Sequence, residues 1–200
     1  MTFLRTILLA LGISLAAHAM PASAQWRLVD DGEARKVARS ELVVTPSEEW
    51  NRATQRPTKR SEVWTKDGQK LNDLGFYMAI RKGEPLFKET NKKRNPLPKF
   101  DPAMLPTDVV EWFEDTANIV LGGSLFAIGE VRPATLAGYP GGHFEYSYTA
   151  GDNLERKGEV RFAVIDERLY MITFDAPALH YFEHDIAEVR RMMDSARFAE

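Results

Sequence analysis

The sequence predicts an α+β protein, an α/β/α sandwich built around a central, mostly antiparallel sheet. Three observations lead to this class. Between residues 125 and 174, successive stretches carry apolar side chains at alternate positions, which is the period of a β-strand. Two other stretches, 107–121 and 177–195, have helical periodicity, so the order is strands, helix, strands, helix. Several strands are apolar on both faces, which predicts helices on both sides of the sheet.

The first 24 residues have the pattern of a secretory signal peptide. A short segment carrying Arg5 precedes an apolar run of twelve residues, and small side chains follow it. We expect cleavage after Ala24, with Ala19 as the alternative site, so that the mature protein is periplasmic or secreted. A retained membrane anchor stays open as an alternative, although a span needs about twenty apolar residues. We expect no membrane span in the mature chain.

The composition excludes several classes of protein. The chain has 200 residues, of which 44% are hydrophobic and 28% charged, and these proportions are typical of globular proteins. The absence of cysteine excludes a thiol nucleophile, a cysteine zinc site and disulfides. Residues 25–200 are long enough to bury a core, and we expect them to form a single α+β domain.

In the first half of the mature chain the predicted elements are short. They are strands over 27–29 and 38–45, a short helix over 47–54, and a hairpin that joins strands 61–66 and 75–81. The hairpin prediction rests on Asp67-Gly68, a pair that suits a two-residue turn. Residues 81–107 form a long, proline-rich loop, and a connector of this length is often functional or else a surface insertion.

The second half has clearer periodicity. A helix is expected from Thr107 to about Leu121, and a last helix begins near Pro177 and includes Leu179. Between them we expect strands 125–136, 143–148, 159–164 and 169–174, with a turn over 138–142. Placing Thr149 opposite Lys157 brings Phe144 opposite Phe162 and Glu145 opposite Arg161. Such aromatic and opposite-charge pairs favour that strand register.

Two segments of this half resemble a known family. They are RFAVIDERLYMITFDAPALHYFEHDIAEVRRMMDSARF, residues 161–198, and PATLAGYPGGHFEYSY, residues 133–148. Both are similar to the C-terminal half of PsbP-like proteins, whose fold is shared with the Mog-type Ran-binding proteins, and the resemblance covers about 124–198. It implies an α/β/α sandwich used in protein binding or assembly, commonly without catalysis. Residues 63–87 also resemble uncharacterised exported bacterial proteins, a likeness that implies no activity.

Charge is distributed unevenly along the mature chain. Residues 25–100 hold 17 basic and 11 acidic side chains, a net charge of +6, whereas residues 101–200 hold 8 and 18, a net charge of −10. One interpretation is that the halves neutralise each other in the fold. The other is a basic surface for an anionic or protein partner, made of Arg52, Arg56, Lys59, Arg60, Lys92, Lys93, Arg94 and Lys99. We expect no nucleic acid partner, because the chain is acidic overall and has no recognition motif.

The sequence contains no catalytic or cofactor motif, and we predict no cofactor. The weak metal-ligand candidates are His143, His180 and His184, of which the last two have chelating spacing on a helix whose polar face they share. We therefore predict an exported, non-catalytic binding or assembly module of the bacterial envelope, acting through its polar exterior. The alternatives are a metal-dependent or acid/base hydrolase that uses these histidines, and a small-ligand binder with an aromatic pocket between sheet and helix.

Overall fold

The structure is a computed structural model that describes residues 25–122 and 125–199. The predicted signal peptide, residues 1–24, lies outside the described residues. The strands are β1 Trp26–Val29, β2 Arg35–Lys36, β3 Leu42–Val44, β4 Trp50–Ala53, β5 Ser61–Thr65, β6 Asp73–Ile80, β7 Phe126–Leu136, β8 Tyr139–Thr149, β9 Glu155–Ile165, β10 Arg168–Pro177 and β11 Arg197–Phe198; the helices are α1 Pro106–Leu121 and α2 Glu183–Asp194.

A large sheet forms the centre of the molecule. Its eight strands follow the order β1-β4-β5-β6-β10-β9-β8-β7, and a small second sheet has the order β11-β3-β2. Every strand pair in the described part of the chain is antiparallel. The α+β class and the antiparallel sheet predicted from the sequence are therefore confirmed.

The two helices cover opposite faces of the large sheet. On one face, Val109 and Phe113 of α1 pack with Phe144 and Met171 of the strands. On the other face, α2 and the small sheet pack against the side chains that point the opposite way from the same strands, such as Ile172. This is the α/β/α arrangement that the two-sided apolar strands predicted, because each buried face needs its own cover.

Helix α1 agrees closely with its prediction. Pro106 occupies the first turn, where its missing N–H costs nothing, and the Asp108 carboxylate accepts a hydrogen bond of 2.8 Å from the Leu105 N–H. Gly122 ends the helix with a left-handed φ of 65°. Within the described residues, no helix is long and apolar enough to cross a membrane.

The long loop that precedes α1 is packed against the sheet. Leu86, Leu97 and Phe100 are buried, and the first and last of these belong to the core on the α1 face. The Phe100 N–H donates to the Glu84 carbonyl at 3.0 Å, and the Gly83 N–H donates to the Phe100 carbonyl at 2.8 Å. Three apolar anchors thus hold a segment whose composition predicted only a polar connector.

The predicted register of the β8–β9 hairpin was wrong by two residues. Thr149 lies opposite Glu155 and not Lys157, so that Phe144 pairs with Val160 and Tyr146 with Gly158. The glycine explains the difference, because a Cβ at position 158 would overlap the Tyr146 ring.

The turn that enters β8 was also misplaced by the sequence analysis. Residues 139–142 belong to β8, and the turn lies at Ala137 and Gly138, which have φ angles of 53° and 83°. Positive φ at both central residues matches the twist of a tight hairpin. Strand β7, on the other side of this turn, is an outer edge of the large sheet and has a bulge between Ile128 and Val131.

Two predictions in the first half were wrong. Residues 47–54 do not form a helix; they contain β4, which pairs with β1 and β5 and buries Trp50 completely. The strand predicted over 38–45 is interrupted, because Ala38 and Arg39 have positive φ and form a turn between β2 and β3. The hairpin around Asp67-Gly68 is present, with a longer connection than the predicted two-residue turn.

The last helix begins later than Pro177. Strand β10 continues through Pro177, and an irregular turn over Ala178–Phe182 precedes α2. His180 has a φ of 74° there, and Leu179 is 88% exposed, so Leu179 does not belong to the apolar face of the helix. The prediction failed because Leu179, which lies in the turn, happens to continue the helical spacing of the apolar residues that begins at Phe182.

Candidate binding cleft

A cleft of about 320 Å³ opens between α1 and the large sheet. Its floor comes from β6, β8 and β10, and the last two turns of α1 form one wall. Its aromatic lining consists of Tyr77, Phe87, Phe113, Phe126, Tyr146 and Tyr148. The volume lies at the lower end of the range for small-molecule sites, which are commonly concave and mostly apolar.

Two carboxylates lie side by side at the cleft. Asp73 of β6 and Asp175 of β10 occupy paired positions in the sheet, and both line the cleft. Like charges this close disfavour each other's ionised form. A cleft with this pair inside an otherwise apolar lining has a defined polar end.

Asp175 has more hydrogen-bond donors around it than Asp73 has. Asp175 accepts hydrogen bonds from Nε of Arg156 at 2.7 Å, from the Tyr148 hydroxyl at 3.2 Å and from the Tyr146 hydroxyl at 3.3 Å. Oδ1 of Asp73 is buried and accepts none. Burial, and then the charge of Asp175, raise the pKa of Asp73 to about 6, against a backbone hydrogen bond from Lys70 and the charge of Arg156. Oδ1 of Asp73 is therefore an unsatisfied acceptor at the polar end.

The tyrosines beside the carboxylates remain protonated at neutral pH. Burial, followed by the charge of Asp175, raises the pKa of both Tyr146 and Tyr148 above the usual tyrosine range. Their rings extend the apolar wall, since the Tyr146 and Phe126 centroids are 5.2 Å apart in a stacked arrangement. Each tyrosine thus offers a ring to the cleft and a hydroxyl to Asp175.

The pKa of Asp73 gives a pH-dependent stability. A folded pKa of about 6, above the ordinary 3.8, means that folding binds a proton, so the free energy of unfolding falls as pH rises through this window. We expect Asp73→Asn to be more stable than the wild type by about 3 kcal/mol at pH 8, with the difference vanishing below about pH 4. Urea unfolding at both pH values measures this. Asp31→Asn, at an exposed position, is the control, and an equal gain in that variant would contradict the assignment.

The three histidines that the sequence singled out lie in two places. His180 and His184 are exposed next to each other, with ring centroids 5.7 Å apart. His143 is buried on β8, where its Nε2 lies 2.7 Å from Oε1 of Glu159. Among the described residues, the one group of three metal-binding side chains joins His143 with Glu145 and Glu159, without His180 or His184. A metal site of the three histidines stays a prediction.

Comparisons with known proteins identify the fold of the chain and no family. No protein-family model matches the chain, and no curated protein matches it. The solution structure of cyanobacterial PsbP (CyanoP) from Synechocystis sp. PCC 6803 superposes with a TM-score of 0.55 at 14% identity, covering 92% of this chain and 99% of that one. This chain has a PsbP-like fold. LpqN, involved in cell envelope biogenesis of Mycobacterium tuberculosis, superposes with a TM-score of 0.35 at 12% identity, over 92% of this chain and 88% of LpqN.

The PsbP-like fold extends over more of the chain than the sequence resemblance, which covered about 124–198. The additional part contains β1, β4, β5 and β6, which complete the large sheet. It also contains β2 and β3 of the small sheet, and α1, which covers one face of the large sheet. At this level of identity the similarity concerns the fold, so the cleft is described by this chain's own residues.

Most of the basic side chains chosen from the sequence form ion pairs with acidic side chains of this same chain. Five form ion pairs: Arg52 and Arg56 with Glu62, Arg60 with Glu84, and Lys92 and Lys99 with Glu89. The other three, Lys59, Lys93 and Arg94, are exposed and make no ion pair with the described residues. A partner at this surface stays a prediction, now centred on three cations instead of eight.

The carboxylates of the cleft were not predicted from the sequence. The polar exterior was expected to carry the function, whereas a half-buried group of ionisable side chains lies at the sheet. The signal was present, because Asp73 and Asp175 each occupy a strand position that faces a covered side of the PsbP-like sheet. Asp175 was interpreted instead as the start of the last helix, and Asp73 lies just before the strand predicted from Gly75.

Proposed function

We propose that the mature chain is an exported, non-catalytic binding module of the bacterial envelope, and that it binds a small cationic ligand in the cleft. The signal-peptide pattern of residues 1–24 supports export, and the lack of a catalytic motif in the sequence supports a binding role. The resemblance to PsbP-like proteins implies modules of this kind. Of the alternatives drawn from the sequence, the small-ligand binder agrees best with the cleft.

One observation carries the ligand class: a buried carboxylate oxygen without a hydrogen bond, at the end of an aromatic cleft. With Asp73 ionised, Asp73, Asp175 and Arg156 together have a net charge of −1. A protonated amine would supply both the missing donor and the missing charge. The faces of Tyr146 and its neighbours would hold an apolar body and attract the cation.

A titration with phenethylamine tests this proposal. The protein is purified from the periplasm, where we expect a mature N-terminus at Gln25, and binding is followed by shifts of amide NMR signals. We expect saturable shifts at the cleft residues, and tenfold or greater weakening in Asp73→Asn, because a charge-assisted hydrogen bond is lost. Binding should also weaken from pH 8 to pH 5, as Asp73 takes up a proton.

The controls separate charge recognition from unspecific apolar binding. Phenethyl alcohol has the same ring without the charge and should bind at least tenfold more weakly. Asp31→Asn should bind the amine like the wild type. Equal affinity for the amine and the alcohol, or no effect of Asp73→Asn, would contradict a cation site at the carboxylates.

A further inference from the structure

A second group of ionisable side chains lies on the face of the sheet opposite the cleft. His143 and Glu145 of β8 point to the α2 side, and Glu159 of β9 is the strand partner of Glu145. One nitrogen or carboxylate oxygen from each of the three lies within 4.8 Å of the others. An imidazole and two carboxylates at this spacing can reach a single ion.

The atoms at the centre of this group lack hydrogen bonds. His143 is 1% exposed and Glu159 is 0% exposed. Nε2 of His143 and Oε1 of Glu159 are in polar contact at 2.7 Å, in an orientation that makes no hydrogen bond, and Nδ1 of His143 also lacks a hydrogen-bond partner. Buried polar atoms are nearly always paired, because an unpaired one loses its hydration without compensation. A bound cation would satisfy Nε2 and Oε1 at once.

Arg190 of α2 holds the carboxylates from the outside. Its Nε donates to Oε2 of Glu159 at 2.9 Å, its Nη2 forms an ion pair with the same oxygen at 2.7 Å, and Nη2 also reaches Oε1 of Glu145 at 3.5 Å. Oε1 of Glu159 faces Nε2 of His143 and accepts no hydrogen bond. Ligating carboxylates are commonly oriented by such outer hydrogen bonds.

Glu145 gives this group access to solvent. Its side chain is 40% exposed and leaves one side of the group open. The group thus combines two buried ligands with an entry path.

We propose that His143, Glu145 and Glu159 form a binding site for Zn²⁺, with water completing the coordination on the open side. Imidazole nitrogen and carboxylate oxygen are ordinary zinc ligands, and three protein ligands plus water is a common set. The imidazole favours zinc over Mg²⁺ and Ca²⁺, which prefer oxygen ligands. This site is separate from the cleft and does not depend on the function proposed for it.

Calorimetric titration of the mature protein with ZnCl₂ tests the site. We expect one equivalent of zinc to bind, with no heat from MgCl₂ at the same concentration. His143→Gln and Glu145→Gln should each weaken zinc binding at least tenfold. The double variant His180→Ala/His184→Ala should bind zinc like the wild type, since it removes the exposed histidine pair and leaves the proposed ligands intact.

Thermal unfolding distinguishes lost ligation from lost folding. Zinc should raise the unfolding midpoint of the wild type, because a ligand that binds the native state stabilises it. Glu145→Gln, at a half-exposed position, should unfold near the wild-type midpoint without zinc and show no rise with zinc. Failure of the wild type to bind, retained binding in Glu145→Gln, or loss of binding in the double histidine variant would each overturn the proposal.

Discussion

Gly141→Ala is expected to prevent folding, or to lower the free energy of unfolding by about 3 kcal/mol or more. Gly141 lies opposite Ala163 in the β8–β9 pair. A Cβ there would overlap the backbone carbonyl of Phe162 and come within 2.8 Å of the Ala163 Cα. Since these are backbone atoms of a central strand, relief requires separation of the two strands and loss of their hydrogen bonds.

Gly151→Ala is the matched control for this substitution. Gly151 lies in the loop that joins the same two strands, and a Cβ there has no heavy atom within 4 Å. We expect its stability to stay within about 0.5 kcal/mol of the wild type. Urea unfolding followed by circular dichroism compares the three proteins, and similar stability of Gly141→Ala and Gly151→Ala would show that the predicted overlap is relieved cheaply.

Asp185→Ala should lower the free energy of unfolding by about 2–3 kcal/mol. Asp185 is completely buried at the start of α2, where its carboxylate pairs with Nζ of Lys66 at 3.0 Å and accepts a hydrogen bond from Asn72 at 2.9 Å. Both partners belong to the connection between β5 and β6, so this one carboxylate attaches α2 to the sheet. Its removal takes one of two carboxylates from a largely buried ammonium, which keeps Glu48 at 2.6 Å, and one of two acceptors from a fully buried amide, which keeps Asp67 at 2.7 Å.

A double substitution identifies the cause of this loss. Lys66→Met combined with Asp185→Ala should be less destabilised than the sum of the two single variants, because the Lys66–Asp185 pair is counted in both single losses and can be lost only once. Asp194→Ala, near the other end of α2, removes an exposed partner of Arg161 and should cost less than about 1 kcal/mol. Guanidinium unfolding of all four variants tests this, and strict additivity of the pair would refute the coupling between Lys66 and Asp185.

The periodic signals were sufficient for the layers of the fold. Alternation in β8, β9 and β10 and the helical spacing in α1 and α2 are local properties, and they predicted the antiparallel sheet and its two covered faces. The errors lie in segments whose secondary structure depends on contacts with residues that are distant in the sequence. Trp50 lies in a segment with no clear period, and it is a strand residue because its side chain fills the core between the sheet and α2.

The sites were predicted less well than the layers, for a related reason. Asp73 and Asp175 lie about a hundred positions apart in the sequence, and only the pairing of β6 with β10 brings them together. His143 was chosen from the sequence, but its partner Glu159 was not distinguished from the other acidic residues, because the register error placed Arg161 opposite Glu145. A correct register would have placed Glu145 and Glu159 opposite each other.

The form of β7 has a consequence for how the protein behaves at high concentration. An outermost strand of eleven residues presents free backbone groups to which a second molecule could add its own strand. The bulge between Ile128 and Val131 distorts that row, Pro133 has no N–H to contribute, and Glu130 and Arg132 place charges along it. Edge-to-edge aggregation through this strand is thereby discouraged, so the large sheet can end at β7 without a covering partner.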